Sequence, residues 1–173
     1  DAVAAYFRLH SRTRRRHGSP PQPMKFFRLI HSCLFERGMG FVSMVERNGE
    51  PLAGAVFLQF GRNALFKFGA SDERELSLRP NHLAIWTGIR ELINRGLGEL
   101  QFGRTSPAQE GLSSFKRSWG AEEFPLFYHR FLPREGCWSL KPPETGAPGC
   151  RAFQFMPLPI NRLAGRLLYP QFD

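Results

Sequence analysis

The stretch Leu52–Phe60 is almost continuously apolar. A strand with one face in water alternates polar and apolar side chains; a strand covered on both faces has no need to. This segment therefore predicts a central strand with packing layers above and below it, and the rest of the chain has to supply those layers. Turn signals bracket it. Asn48-Gly49 has the composition of a two-residue hairpin turn, and Gly61-Arg-Asn63 follows the run. With brief alternation over Phe41–Glu46 and a third apolar segment at Ala64–Phe68, the spacing predicts a three-strand antiparallel meander.

Helical patterns flank the meander. Residues 3–17 read as a helix whose later turns are charged, ended by Gly18, and Ser19-Pro-Pro-Gln-Pro23 is an extended link because each proline restricts the residue before it. Residues 24–37 place Phe26, Phe27, Ile30, Cys33 and Leu34 on one stripe, with Gly38 as the stop. Beyond the meander, Gly69-Ala-Ser-Asp72 breaks the strand pattern. Pro80 suits the first turn of a helix running to about Arg95, with Leu83, Ile85, Trp86, Ile89, Leu92 and Ile93 as its apolar stripe and Gly96 as terminator. A short strand at Glu99–Phe102, a helix over 109–119 with Leu112, Phe115 and Trp119 inward, and a last strand at Phe124–Leu132 complete the order ααβββαβαβ. A meander followed by a strand–helix crossover predicts a mixed sheet with helices on both faces, an α/β (α+β) architecture. Seven of the 14 prolines lie beyond residue 132. Residues 1–132 are therefore expected to form the domain and 133–173 a Pro-rich extension, in which 160–169 is patterned as a short amphipathic helix.

Composition narrows the class. The 17 Phe residues argue against disorder. No apolar run is long enough to span a bilayer, and no secretory signal pattern is present. The first residue is Asp1, which suggests a piece cut from a longer protein. Three irregularly spaced cysteines suggest neither a disulfide framework nor a Cys-based metal site, and they fit a reduced cytoplasmic compartment. Cys33 reads as a small core hydrophobe. His10, His17, His31, His82 and His129 lack metal-ligand spacing, so no metal is expected. There is no nucleophile elbow, Walker loop or dinucleotide fingerprint. The net charge is +9, with five Arg against one Asp in residues 1–17. That excess points to an anionic partner: a small anionic or nucleotide-linked substrate, tRNA, a phosphorylated substrate, or a membrane surface that would make the protein membrane-peripheral. The Arg12–Arg16 run reads first as a solvated helix face. Its functional alternative is a clamp for a nucleotide-linked substrate, a tRNA acceptor stem or a polysaccharide-linked phosphate.

Five segments in order carry a resemblance. They are Arg14-Arg-Arg-His-Gly-Ser-Pro-Pro-Gln-Pro-Met-Lys-Phe-Phe27, Gly69-Ala-Ser-Asp72, Arg79-Pro-Asn-His-Leu83, Phe102-Gly-Arg104 and Gly111-Leu-Ser-Ser-Phe-Lys-Arg-Ser-Trp-Gly120. Together they resemble the FemAB-like and CelD-like acetyltransferase branch of the GNAT superfamily, over roughly residues 6–132. The resemblance implies a GNAT-like sheet that lacks its leading strand here. It also implies transfer of an acyl or aminoacyl group to an amine of a cell-wall or exopolysaccharide-related acceptor. Such proteins often have two GNAT-like domains, so an N-terminal domain of the same full-length protein is an expected partner.

The resemblance places Lys116, in the Gly-Leu-x-x-Phe-Lys motif, beside the reacting ester, where a cation suits the charge of a tetrahedral intermediate. A solvated helix lysine is the bland alternative. Arg104 follows a strand at its C-terminal end, where open α/β sheets place ligands, and its planar fork suits a phosphate or carboxylate. Asp72 stands as acceptor or orienter of the ammonium proton, or as the cap of the next turn, and Ser71 precedes it. Arg79, Asn81 and His82 open the long helix, where ordinary GNAT enzymes bind the coenzyme A pyrophosphate with a glycine-bearing loop. The glycines are absent here. The lost glycines and the basic charge favour aminoacyl-tRNA, the donor of the FemX type, whereas the likeness to the CelD-like branch implies acyl-coenzyme A; acyl-coenzyme A is the expected donor and aminoacyl-tRNA the alternative. A non-catalytic GNAT-like module that binds RNA or an anionic glycan is the reading from another class.

Overall fold

The structure, a computed structural model, describes residues 1–141 and 150–169. Its residues form two compact units, Asp1–Gln101 with Gly149–Asp173, and Phe102–Pro148. Residue 133, where the Pro-rich extension is expected to begin, falls inside the second unit.

The first unit holds a four-stranded sheet in the order β1 (Gly40–Arg47), β2 (Glu50–Phe60), β3 (Asn63–Ser71), β4 (Glu99–Gln101). The first three strands pair antiparallel, and β4 is parallel to β3. β2 is covered on both faces, as its composition requires: Ala53, Ala55, Val56 and Phe57 are all at most 2% exposed. On one face lie α1 (Ala2–Arg16) and α2 (Met24–Cys33), whose Tyr6, Phe7, Leu9 and Phe27 cluster with Val56 and Ala70. Burying each such side chain stabilises the fold by about 1.5–3 kcal/mol. On the other face lies α3 (Pro80–Asn94).

α3 seats differently from its apolar stripe. Ala84, Ile85, Gly88 and Leu92 are buried, while Leu83, Trp86 and Ile93 are half-exposed or more. The reason is close approach: a Cβ on Gly88 would overlap the Phe57 ring. The helix turns Ala84 and Gly88 to the sheet beside Ile85 and Leu92, and leaves Leu83, Trp86 and Ile93 toward the outside. Two further expectations shift. α2 ends at Cys33 and tightens into a 3-10 turn at Phe35–Arg37, which leaves Cys33 exposed rather than in the core. Gly69–Ser71 do not break the strand but continue β3, held in register by Ala55, Gly54 and Ala53 of β2. An unexpected 3-10 segment, Glu73–Leu78, then leads to α3.

After the second unit the chain returns with α5 (Arg151–Phe155) and α6 (Leu158–Leu168), the latter close to the expected short helix. Gly165 of α6 faces the Pro21 carbonyl so closely that a Cβ would overlap it. The second unit contains α4 (Glu110–Arg117) and an antiparallel hairpin of β5 (Tyr128–Leu132) and β6 (Cys137–Lys141). β5 starts later than the expected 124, and β6 lies where no strand is expected. On α4, Leu112 is exposed, and Phe115 is half-buried in an edge-to-face pair with the half-buried Trp119, two residues beyond the helix, rather than fully inward.

Candidate active site

β4 pairs with only the first part of β3, Asn63–Leu65 against Glu99–Gln101. Just beyond, the β2–β3 register slips: Val56 faces Phe68 and Phe57 faces Phe66, leaving Lys67 as the extra residue of a bulge. A bulge bends its strand and increases local twist. β3 therefore extends to Ser71 past the end of its parallel ladder with β4, at the place where the sheet changes from antiparallel to parallel. Ser71 is at the carboxyl end of the parallel β3–β4 pair, and open α/β sheets bind ligands outside the carboxyl ends of their strands.

Side chains converge on that open end. Thr13 of α1 clamps Ser71: its Oγ1 donates to the Ser71 carbonyl and accepts from the Ser71 N–H, both at 3.2 Å. Asn81, in the first turn of α3, donates from Nδ2 to Ser71 Oγ at 3.1 Å. Asp72 is buried, and Arg74 grips its carboxylate through Nε at 3.0 Å and Nη2 at 2.6 Å. Asp72 also accepts from the Arg74 N–H at 3.0 Å, which caps the 3-10 segment, and its Oδ2 lies 3.4 Å from Arg12 Nη1. The Arg74 hydrogen bond, more than any other influence, holds the Asp72 carboxyl at about 2, well below the usual carboxylate range. At neutral pH Asp72 is a fixed negative charge that anchors arginines.

The entrance to α3 is unusual. Arg79 is its N-cap with φ +49°, a left-handed conformation that glycine adopts far more readily than a side-chain-bearing residue. Pro80 is at N1, and no side chain caps the helix. His82 is exposed in the same first turn and donates its backbone N–H to the Arg79 carbonyl. The sequence lacks the glycines expected at this junction, yet Arg79 makes the left-handed turn.

In the second unit Lys116 and Arg104 are neighbours. Lys116 Nζ donates to the carbonyls of Gly103 at 2.7 Å and Arg104 at 3.3 Å, while Arg104 Nη1 donates to the Tyr128 hydroxyl at 2.7 Å. Desolvation by partial burial lowers the Lys116 pKa. The sequence-predicted set thus divides by unit: Ser71, Asp72, Arg79 and Asn81, with His82, at the β3–α3 junction, and Arg104 with Lys116 on the segment that follows β4. Sequence reasoning did not single out Thr13 or Arg74. Thr13 gives no signal, because its partner is 58 residues away. The signal for Arg74 was present in its spacing of two residues from Asp72. Among the described residues no group of three or more His, Cys, Asp or Glu side chains is placed to hold a metal ion, and no helix is long and apolar enough to cross a membrane.

An antiparallel meander joined through a crossover helix to a short parallel strand, open beyond a bulge, is the architecture of a GNAT-type acyltransferase. The chain belongs to the Acetyltransferase (GNAT) domain family, whose model matches residues 1–124. Among solved structures it is similar to the ribosomal-protein-S18-alanine N-acetyltransferase from Escherichia coli. The identity is 19%, over 74% of this chain and 72% of that one, with a TM-score of 0.51. It is also similar to an aminoglycoside acetyltransferase from an uncultured soil metagenomic sample, at 16% identity over 76% and 88% of the two chains, with a TM-score of 0.56. At these identities the likeness concerns the fold. No curated sequence matches the chain.

Proposed function

We propose that the chain transfers an acyl group from acyl-coenzyme A to an amine at the open end of β3. The observation that carries this reading is the meeting of the β3 terminus with the α3 N-terminus, joined by the Asn81–Ser71 hydrogen bond. A helix N-terminus presents N–H groups and positive dipole to an anion. The residues fit a pyrophosphate: an α3 start with no side-chain cap, and Arg79 held in the left-handed turn that a glycine would otherwise make. Backbone conformations of this kind persist where surrounding structure fixes them and often mark functional sites. Arg79 and the first turn of α3 would hold the donor's phosphates, and acyl-coenzyme A supplies the activated thioester carbonyl.

The chain's own residues prepare the acceptor. Thr13 and Asn81 fix Ser71, so the end of β3 is rigid where the amine has to be oriented, and such positioning alone lowers a bimolecular barrier. Asp72, kept charged by Arg74 and Arg12, is an electrostatic anchor and a poor proton acceptor. The exposed imidazole of His82 in the first turn of α3 is the group suited to take the ammonium proton. The FemAB-like and CelD-like motifs add finer proposals. Lys116, with one N–H beyond its two carbonyl bonds, is assigned to developing oxyanion charge, and Arg104 to an anionic part of the substrate. The acceptor is assigned to cell-wall or exopolysaccharide chemistry in the cytoplasm, with an N-terminal domain of the same protein as partner.

The test is release of free coenzyme A thiol by the purified chain with acetyl-coenzyme A and a panel of amines. Amine-dependent release supports the reading. Absence of release, combined with acyl transfer from charged tRNA, would replace the donor, and absence of both would leave a binding module.

A further inference from the structure

α1 carries a stripe of arginines toward the β3 terminus. Arg12, Arg15 and Arg16 stand at spacings of three and four, hence on one helix face. With Arg74, Ser71, Asp72, Glu73, Gln154 and Leu158 they line a cleft of about 440 Å³. That volume suits a small ligand rather than a single water or ion. Four arginines face two carboxylates there, and Asp72 is already engaged by Arg74 and Arg12.

The two remaining arginines are different. Among the described residues, Arg15 and Arg16 form no ion pair, and Arg16 Nη1 is buried without a hydrogen-bond acceptor. Cations in the last turn of a helix stabilise its dipole, which accounts for a basic α1 terminus. It does not account for a buried guanidinium N–H with no acceptor, which is unfavourable unless an acceptor reaches it. The wall is also built: Gln154 Nε2 of α5 donates to the Arg16 carbonyl at 3.2 Å, and Thr13 ties the same helical turn to Ser71. The cleft on the other side of Arg12 makes a contrast. It is lined by Arg8, Arg47, Glu50, Asp72, Arg74 and Glu75 among others, and there Arg47 is bonded to Glu75 at 2.7 Å.

We propose that the Arg15–Arg16 cleft is the acceptor's anion subsite, so that this enzyme acylates an amine that also carries a phosphate or carboxylate. The proposal rests on the acyl-transfer reading above, because Ser71 is both a wall of the cleft and the end of β3 where that reading places the amine. Arg15 and Arg16 grip the oxyanion through charge-assisted, bidentate-capable donors. The acceptor nitrogen then lies toward Ser71. Polycationic amines are disfavoured in the same cleft.

The probes are three amino sugars that differ only at one carbon: glucosamine 6-phosphate, 2-amino-2-deoxyglucuronate and glucosamine. Binding to the full chain is measured by calorimetry, and turnover by coenzyme A release. The expected result is that at least one anionic sugar binds about tenfold or more tightly than glucosamine, the size expected for a hydrogen bond to a charged group. Which of the two does so identifies the oxyanion as phosphate or carboxylate. Arg15→Gln and Arg16→Gln, singly and together, erase that preference while leaving glucosamine affinity and the KM for acetyl-coenzyme A unchanged. Arg28→Gln, an exposed change on α2, keeps it. The single Arg15→Gln and the charge-retaining Arg16→Lys guard against loss of folding, which circular dichroism monitors. Equal binding of all three sugars to the wild type overturns the proposal. So does an equal loss in Arg28→Gln, which would indicate general charge, or a raised KM for acetyl-coenzyme A alone, which would assign the cleft to the donor. Anion-selective binding without any turnover keeps the subsite and overturns the acyl-transfer reading instead.

Discussion

The two compact units hold themselves together by different means. In residues 1–101 with the returning helices, aromatic and aliphatic side chains are sealed between α1, α2, β2 and α3, with Tyr6, Phe57, Leu9 and Val56 all below 2% exposure. In residues 102–148 no described side chain is buried, and beside the β5–β6 ladder and the half-buried Phe115–Trp119 pair the contacts are polar: Lys116 on two backbone carbonyls, Arg104 on Tyr128, Arg117 on Glu123 at 2.7 Å. The difference teaches that the unit with the packed core supplies rigid geometry, at Ser71 and at the arginine cleft. The unit that carries the most distinctive sequence motif depends on hydrogen bonds that exchange readily with water.

That contrast can be broken or sharpened, beginning with the largest effect. Phe57→Ala should destabilise the fold by about 3–5 kcal/mol, whereas Phe127→Ala, at a side chain 65% exposed, should change it by less than about 0.5 kcal/mol. Urea denaturation of both variants checks this. Comparable losses would erase the distinction between the units.

The next effect is a pH dependence confined to the packed unit. His10 is buried, with Nε2 2.6 Å from Gln22 Oε1, and desolvation lowers its pKa to about 4. A depressed pKa means the neutral imidazole is the folded form. Its stabilisation is complete above the unfolded value of about 6.5, declines as pH falls below it, and is lost as pH passes about 4. The full span is on the order of 3 kcal/mol. Denaturation midpoints from pH 7 to 4 should show this decline in the wild type, and His10→Phe should flatten it.

Smaller still, Lys116→Ala should lower kcat by roughly ten- to a hundredfold, less than the roughly hundred- to thousandfold loss of a dedicated oxyanion donor, because two of its N–H groups are already held by the Gly103 and Arg104 carbonyls, while the denaturation midpoint stays nearly fixed. An unchanged rate would reduce Lys116 to a tie between α4 and the 103–104 backbone.

Double-sided burial made β2 legible in the sequence, because a continuous apolar run leaves a strand no face to turn toward water. The loops were legible for a local reason too: Asn48 and Gly49 both take positive φ, as a tight hairpin turn requires. Long-range geometry was not. Trp86 fits a helical stripe, but it faces outward because Gly88 lets Phe57 come so close. Gly69 reads as a strand breaker, yet pairing with Ala55 keeps it in β3. The candidate site shows the same division. Ser71, Asp72, Asn81 and Lys116 were visible through motifs. The cleft beside the Arg12–Arg16 run gave no signal in the sequence, because the residues that line it with the arginines, Ser71, Arg74 and Gln154, lie far along the chain.

The central claim is that the donor lies where β3 outruns β4 and meets α3. Hydrogen–deuterium exchange of the full chain with and without saturating acetyl-coenzyme A tests it directly. The account predicts new protection concentrated in residues 66–71 and 80–84. Protection elsewhere, with those two segments unchanged, would contradict it.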